Sequence, residues 1–73
     1  MIPDNEKLIL GGTYGYDQYP NSDCLHILEA YNEVTGYCVF RFVSSLGKKG
    51  HSENVTEGYI RKIMHNKTAI SAI

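Results

Sequence analysis

Two runs of aliphatic and aromatic residues, separated by a short polar segment, form the clearest pattern along the chain. Together they occupy residues 24–44, with the sequence CLHILEAYNEVTGYCVFRFVS, and the polar segment ends at Gly36. Two such runs joined by a few turn-forming residues are typical of a β-hairpin. We therefore predict a hairpin here and expect the rest of the fold to be built around it.

The length of the hairpin loop decides which side chains face each other. A three-residue loop at residues 34–36 fits a type I turn followed by a glycine in the left-handed region. This loop places Glu29 opposite Arg41, whereas a four-residue loop would place Glu29 against Phe40 and its aromatic face. We predict the three-residue loop because it gives Glu29 a cationic partner.

Apolar residues fall on both faces of the hairpin in this register. One face carries Tyr31, Tyr37, Val39 and Val43, and the other carries Phe40 and Phe42. Because an antiparallel sheet with one solvated face alternates between apolar and polar residues, both faces need a cover. A sheet curled into a small barrel, a helix packed on one side and a partner chain would each supply one.

Residues 54–66 carry the strongest helix signal in the sequence. Asn54 can cap a helix, and Glu57 follows it three residues later in a capping-box arrangement. The apolar stripe that comes next consists of Tyr59, Ile60, Ile63 and Met64. This spacing predicts a helix whose stripe packs on the sheet.

The segment before the hairpin predicts a strand followed by a loop. Residues 7–10, KLIL, form a short apolar run that ends at the glycine pair 11–12, where we expect a bend. Residues 13–23, TYGYDQYPNSD, mix turn formers with tyrosines and predict a loop. Residues 1–6 and 67–73 are expected to be loose.

These elements predict an α+β fold in one domain spanning residues 1–73. The sheet is expected to be a small curled antiparallel sheet or a partly open barrel of three to five strands, with one C-terminal helix. The predicted core comprises Leu8, Leu10, Leu28, Phe40, Phe42, Ile60 and Ile63. Because 73 residues are few for a self-sufficient core, we expect a homodimer or a partner-bound form.

The composition is that of an ordinary globular chain, with 42% hydrophobic residues and a formal net charge of -1. Near-neutrality removes the usual electrostatic footprint of a nucleic-acid binder. No stretch approaches the roughly 20 apolar residues that span a bilayer, and the first ten residues lack the basic segment of a secretory signal. We therefore expect a cytoplasmic protein without membrane contact, whose Cys24 and Cys38 are reduced.

Motifs that carry catalytic or metal chemistry are missing from the sequence. Cys24 and His26 could supply two zinc ligands, but a structural zinc site needs four. Glycines at positions 11, 12 and 15 match neither the dinucleotide fingerprint nor the P-loop. A chain of this size also has little apolar wall for a dry catalytic pocket. We expect neither an enzyme nor a bound cofactor or metal.

The tyrosine-rich loop is the leading candidate for a binding surface. Tyr14, Tyr16 and Tyr19 lie close together in the sequence, with Asp17 between them. Tyrosine is enriched in protein interfaces, where acids belong to the rim. We predict that these four residues contact a protein partner. The alternative is that the tyrosines only pack over the edge of the core.

A second hypothesis is weak nucleic-acid binding through basic residues. Lys48, Lys49, Arg61 and Lys62 would form one patch if the loop after the hairpin folds beside the helix. Four such cations are enough for weak, salt-sensitive contact with phosphates. Glu53 and Glu57 would partly cancel their field, and a solvated face explains the same residues.

The order of elements resembles that of short uncharacterised proteins encoded by phages and prophages. Over residues 7–65 the order is strand, Gly-Tyr turn, aliphatic strand, tight hairpin, aromatic strand with Arg41, loop and the segment ENVTEGYIRKIM. Many such proteins are similar to SH3-like small barrels with a helix near the end. The resemblance implies an accessory protein that binds a host or viral protein stoichiometrically and inhibits or modulates a host factor. It carries no functional residue to this chain.

Overall fold

A computed structural model describes residues 1–67 as an antiparallel sheet of five strands with one short helix. In chain order the elements are β1 (Thr13–Tyr16), β2 (Leu25–Tyr31), β3 (Tyr37–Val43), β4 (Lys49–Thr56), α1 (Glu57–Ile63) and β5 (Met64–Asn66). The strand order across the sheet is β4-β3-β2-β1-β5. The predicted α+β class is confirmed. The sheet is not closed into a barrel, since β4 and β5 form its two edges.

The predicted hairpin is formed by β2 and β3, but its loop is longer than predicted. The Asn32 N–H donates to the Tyr37 carbonyl oxygen over 2.9 Å, so residues 33–36 form a four-residue loop. Gly36 has a φ of 77°, a conformation that glycine adopts without steric cost. The three-residue loop was the wrong prediction, although the left-handed glycine is where it was expected.

A β-bulge removes the conflict that had argued against the longer loop. The register shifts between Leu28 and Ala30, so that Leu28, and not Glu29, pairs with Phe40. A bulge inserts one residue into a strand and redirects its side chain. The Glu29 carboxylate reaches Arg41, whose Nε lies 3.2 and 3.1 Å from the two oxygens. The predicted ion pair therefore forms, although the two strands pair in the register of the four-residue loop, which was not the predicted one.

One face of the sheet carries the core. The buried side chains of this core are Ile2, Tyr14, Leu28, Cys38, Phe40, Ile60 and Met64. Of the predicted core, Leu28, Phe40 and Ile60 are confirmed, and Leu8 and Ile63 pack against it partly buried. Leu10 is 63% exposed and was wrongly predicted. Phe42 is only half-buried.

The N-terminal segment belongs to the folded structure, contrary to the expectation that residues 1–6 are loose. Ile2 is 2% exposed, and its N–H donates to the Arg61 carbonyl oxygen over 2.8 Å. The Arg61 guanidinium in turn donates to the Pro3 carbonyl oxygen over 2.6 Å. These contacts attach the start of the chain to α1.

The first strand lies later in the chain than the sequence predicted. Residues 7–9 have no regular structure and lead into a turn, where Gly11 has a φ of 81°. The strand is Thr13–Tyr16, inside the segment predicted as a loop. It pairs with β2 on one side and with β5 on the other. Two strand partners outweigh the weak local preference of this glycine- and tyrosine-rich sequence.

The helix is shorter than the predicted 54–66. It begins after Thr56, whose hydroxyl oxygen accepts the N–H of Tyr59 over 3.4 Å, while Asn54 lies in β4. Of the predicted stripe, Tyr59 is 51% exposed and Met64 begins β5. Of the tail predicted to be loose, Lys67 donates its N–H to the Thr13 carbonyl oxygen, and residues 68–73 lie outside the described residues.

The path of α1 determines how much of the core face is covered. At its start, the Glu57 N–H donates to the Gly36 carbonyl oxygen in the hairpin loop over 2.7 Å. At its end, Met64 pairs with Tyr16 at the other end of the sheet. The helix therefore crosses the face obliquely from one edge strand to the other. It covers Phe40 and leaves the end of the face that carries Phe42 more open.

The opposite face of the sheet retains apolar side chains that are partly exposed. Ile27, Val39 and Val43 are half-buried there, on either side of the Glu29–Arg41 ion pair. The helix thus accounts for one of the two apolar faces of the hairpin. The homodimer stays a prediction, with this outer face as its candidate contact.

A hydrogen-bonded group at the start of α1 links the helix to β2. The Tyr31 hydroxyl donates to Oε1 of Glu57 over 2.6 Å, and Nε of Arg61 donates to Oε2 over 2.8 Å. The hydrogen bonds from Tyr31 and Arg61 lower the pKa of Glu57. The folded state therefore holds this carboxylate in its ionised form more strongly than the unfolded chain does.

Stability should consequently depend on pH at Glu57. A carboxylate with a lowered folded pKa stabilises the fold above its unfolded pKa, and this contribution is lost as the pH falls through the folded pKa. We expect Glu57→Gln to lower the free energy of unfolding by about 1.5 kcal/mol at pH 7. The difference from wild type should shrink as the pH falls below the unfolded value of 4.5. Urea denaturation of the variant and of wild type at pH 7 and pH 3 measures the loss of unfolding free energy and its decrease at low pH.

The matched control for this prediction is Glu33→Gln, because Glu33 is exposed in the hairpin loop. This control should change the free energy of unfolding by no more than about 0.5 kcal/mol at either pH. A Glu57→Gln variant that loses the same amount at pH 7 and pH 3 would contradict the role of the ionised carboxylate.

Candidate functional site

Four aromatic rings form a row across the open end of the core face, one ring from each of β1 to β4. They are Tyr16, His26, Phe42 and His51. The centroid distances between neighbours are 4.9, 5.5 and 6.2 Å. Residues two apart on a strand share a face. His26 therefore lies on the same face as Leu28, and Phe42 lies on the same face as Phe40. The row is the uncovered continuation of the core.

The rings of this row are not coplanar. Tyr16 and His26 are turned by 72° from each other, and His26 and Phe42 by 65°. Only His51 stacks, at 19° to Phe42. Edge-to-face pairs are attractive because the positive edge of one ring meets the negative face of the next. The first three rings therefore form walls at steep angles and not one flat platform.

A pocket of about 310 Å³ opens beside the row. Its lining residues are Gly15, Tyr16, Tyr19, Ser22, Cys24, His26, Phe42 and Glu53, and we call it the aromatic pocket. Glu53 is paired with Phe40 across β3 and β4, so its side chain lies on the core face. His51 Nε2 is 3.2 Å from Oε1 of Glu53 and holds the carboxylate from the solvent side.

A second depression, of about 460 Å³, lies between α1 and the segment that follows β1. Its lining residues are Tyr16, Asp17, Gln18, Tyr19, Tyr59, Lys62 and Ile63, and we call it the helix pocket. Tyr16 and Tyr19 line both pockets and form the wall between them. We call the two pockets together the tyrosine groove.

Backbone hydrogen bonds hold the wall of the groove in place. The Asp17 N–H donates to the Ile63 carbonyl oxygen over 2.7 Å, which joins the end of β1 to the end of α1. The Tyr19 N–H donates to the Tyr16 carbonyl oxygen over 3.0 Å, and the Ser22 N–H donates to that of Tyr19 over 3.2 Å. These hydrogen bonds hold the segment that presents the tyrosines in one conformation, which lowers the entropic cost of binding a ligand there.

Burial and the charge of Glu53 set the ionisation of the aromatic pocket. Burial raises the pKa of the Tyr16 phenol, and the Glu53 carboxylate raises it further. Burial lowers the pKa of His26, although Glu53 acts in the opposite direction. Within residues 1–67, no hydrogen-bond partner lies within reach of the buried His26 Nδ1. Both rings are therefore neutral at pH 7, and Glu53 supplies the negative charge.

Lys67 brings a positive charge to the edge of the aromatic pocket. Its aliphatic chain lies over Gly15, where a β-carbon would meet it. Its ammonium group donates to the Ser22 carbonyl oxygen. The pocket is therefore bordered by one cation whose hydrogen bond is made within the chain.

The structure separates the tyrosines that the sequence had grouped. Tyr14 is fully buried, accepts the N–H of Ile9 at its hydroxyl over 3.0 Å and meets Phe40 edge to face at 5.7 Å. Its place in a contact surface was a wrong prediction, because α1 covers this part of the face. Tyr16 lies in the wall of the groove, and Tyr19 is 58% exposed. These two keep the predicted position on a surface.

Asp17 lies at the rim of the helix pocket, as its assignment to the binding surface required. Its carboxylate already contacts the α-amino group of Met1 and Nδ1 of His65, the latter over 2.9 Å. The hydrogen bonds from the α-amino group and from His65 lower its pKa. The side chain therefore fixes the chain near the groove before any partner arrives.

The structure does not bring the four basic residues of the second hypothesis together. Lys48 lies in the turn between β3 and β4, and Lys49 begins β4. Arg61 contacts Glu57 and lies toward the hairpin loop, at the other end of β3, which has seven residues and a length of roughly 20 Å. Lys62 lines the helix pocket. The single patch was a wrong prediction because α1 starts at the hairpin-loop end.

Within residues 1–67, no three His, Cys, Asp or Glu side chains are placed to hold a metal ion. No helix in the same residues is long and apolar enough to cross a membrane. Cys24 and Cys38 are free thiols, and burial raises the pKa of Cys38.

Sequence reasoning missed several residues of the groove. Phe42 was assigned to the core and Tyr59 to the packed face of the helix, while Glu53 was considered only as a charge that weakens the basic patch. The available signal was spacing, since His26 is two residues from Leu28 and therefore shares its face. That signal identifies a face, but it does not say which part of the face a helix covers.

Comparison with known proteins gave no relative for this chain. It matches no family model, and the searches of curated proteins and of solved structures found no similar protein.

Proposed function

We propose that this protein is a non-enzymatic protein-binding module that holds a segment of its partner in the tyrosine groove. The observation that carries the proposal is the wall of Tyr16 and Tyr19 between two adjacent pockets. Tyr19 and, across the helix pocket, Tyr59 are 58% and 51% exposed. Exposed tyrosines in a concave, ordered site are typical of the anchor points of protein interfaces.

The shape of the groove favours an extended segment as the ligand. Two pockets of about 310 and 460 Å³ lie side by side, so neighbouring side chains of one segment can enter them in turn. Extended peptides are commonly recognised in this way, with pockets that select alternate side chains. The resemblance in element order leads us to propose further that the partner is a host or viral protein and that the chain is a phage-encoded accessory factor.

Weak nucleic-acid binding through Lys48, Lys49, Arg61 and Lys62 has less support. Those cations are distributed over both ends of β3, and the steep angles between the rings of the aromatic row do not suit stacking of successive bases. The two functions respond differently to salt, because phosphate contacts release counterions.

The test is capture of the partner from host lysate, with and without nuclease, followed by affinity measurements on variants. We expect one stoichiometric protein that survives nuclease treatment. Tyr19→Ala should weaken its binding about tenfold, with little dependence on salt. Charge reversal of Lys48 and Lys49 should change the affinity less than twofold.

Tyr37→Ala is the matched control, since Tyr37 is 47% exposed and lies on the outer face of the sheet. It should leave the affinity unchanged. Equal losses at Tyr19 and Tyr37, or an eluate that disappears with nuclease and depends on the lysines, would refute the proposal.

A further inference from the structure

We propose that the aromatic pocket takes an arginine side chain of the bound segment. This inference rests on the proposed function and names the chemistry that one of the two pockets selects. Its basis is the combination of several neutral rings with one carboxylate in a recess of about 310 Å³. A cation is the group that both components attract.

The rings supply the first component. Tyr16, His26 and Phe42 stand at 72° and 65° to their neighbours, so they surround a compact group from different directions. The negative face of an aromatic ring attracts a cation within about 6 Å of its centroid. Burial lowers the pKa of His26, and the neutral imidazole adds no repelling charge to this wall.

Glu53 supplies the second component. Among the described residues that line the pocket, it alone carries a charge at neutral pH. Its side chain is 52% exposed, so an incoming group reaches the carboxylate without displacing the core. It lines the same recess as Tyr16, His26 and Phe42, so its charge lies beside these rings.

Arginine fits these two components better than lysine does. A guanidinium group is planar and weakly hydrated, stacks on ring faces and donates two parallel hydrogen bonds to a carboxylate. An ammonium group is more strongly hydrated and loses more on entering an aromatic recess. The Lys67 ammonium at the edge of the pocket opposes any second cation, so its removal should strengthen binding.

The test uses N-acetyl-arginine amide as the probe and follows the backbone amide resonances of the full chain by NMR. We expect saturable shifts centred on Tyr16, His26, Phe42 and Glu53. The citrulline analogue has the same shape without the charge and should bind about tenfold more weakly. The affinity of the lysine analogue should lie between those of the arginine probe and the citrulline analogue.

Three variants check the assignment. Glu53→Gln should weaken binding of the arginine probe at least fivefold and leave the citrulline analogue unaffected. Lys67→Met should strengthen binding of the arginine probe about twofold, because it removes a repelling charge. This change in affinity is opposite in direction to that of Glu53→Gln. Glu33→Gln, which changes an exposed carboxylate of the hairpin loop, should have no effect.

Equal affinity for the arginine and citrulline probes, shifts located elsewhere, or an unchanged affinity in Glu53→Gln would each overturn the inference. Its failure can be told apart from failure of the proposed function. If Tyr19→Ala still weakens binding of a captured partner about tenfold while the arginine probe does not bind, only the cation assignment is wrong. If the probe binds as expected and no partner is captured, protein binding is wrong.

Discussion

Replacing Phe40 with alanine is expected to lower the free energy of unfolding by about 3–5 kcal/mol. Phe40 is 3% exposed and meets Tyr14 edge to face at 5.7 Å. It lies on the part of the sheet that α1 covers, so removal of the ring leaves a cavity that the neighbours cannot fill. Because small domains have total stabilities of about 5–15 kcal/mol, urea denaturation should show a large fall in the midpoint.

The matched comparison is Phe42→Ala, two residues further along the same strand. Phe42 is half-buried at the open end of the core face, where water can replace part of the lost contact. We expect a loss of about 1–2 kcal/mol at this position. Equal losses at Phe40 and Phe42 would contradict the partial cover of the face by α1.

Ile2→Ala is expected to lower the free energy of unfolding by about 2–5 kcal/mol. Ile2 is 2% exposed, and its N–H donates to the Arg61 carbonyl oxygen, so the side chain completes the core from the N-terminal end. Denaturant unfolding of the variant measures the loss. Such a loss of unfolding free energy would be unusual for a residue at this position, because the first residues of most domains are poorly ordered.

Ile9→Ala provides the control for Ile2 with the same chemical change. Ile9 is 51% exposed, and its replacement should alter the free energy of unfolding by no more than about 0.5 kcal/mol. An Ile2→Ala variant as stable as the Ile9→Ala variant would show that the N-terminal segment does not belong to the core.

The core and the tyrosine groove share one face of the sheet in this protein. Tyr14 and Tyr16 are two residues apart on β1 and lie on the same face, yet the first is fully buried and the second lines the groove. The exposed residues Tyr19 and Glu53 are therefore suited to test function without loss of the fold. Changes at Phe42 should affect both the free energy of unfolding and ligand binding, since the ring is half-buried and lines the aromatic pocket.

The register of the hairpin illustrates a limit of local reasoning. The opposite charges of Glu29 and Arg41 correctly predicted that these two side chains form an ion pair. The loop length inferred from that pair was wrong, because a bulge at Glu29 permits the longer loop and the ion pair together. A bulge adds one residue to a strand and redirects its side chain, and the sequence of a single strand does not reveal it.

The candidate site was predictable only in part. The tyrosine-rich segment indicated Tyr16 and Tyr19, which form the shared wall of the groove. It gave no means of separating them from Tyr14, since all three have the same side chain and similar neighbours. Glu53 directly precedes the predicted helix 54–66 and was not placed in a strand, whereas β4 continues through it.

The pattern of residues along the chain was enough to predict the α+β class, the position of the hairpin, and the burial of Leu28, Phe40 and Ile60. These features depend on hydrophobic periodicity and turn chemistry, which act over a few neighbouring residues. Three features became visible only in the folded chain: the strand Thr13–Tyr16, the place of Ile2 in the core, and the aromatic row that α1 leaves open. Those outcomes depend on contacts between segments far apart in the chain, and the free energy of such contacts exceeds the weak local preferences that a sequence displays.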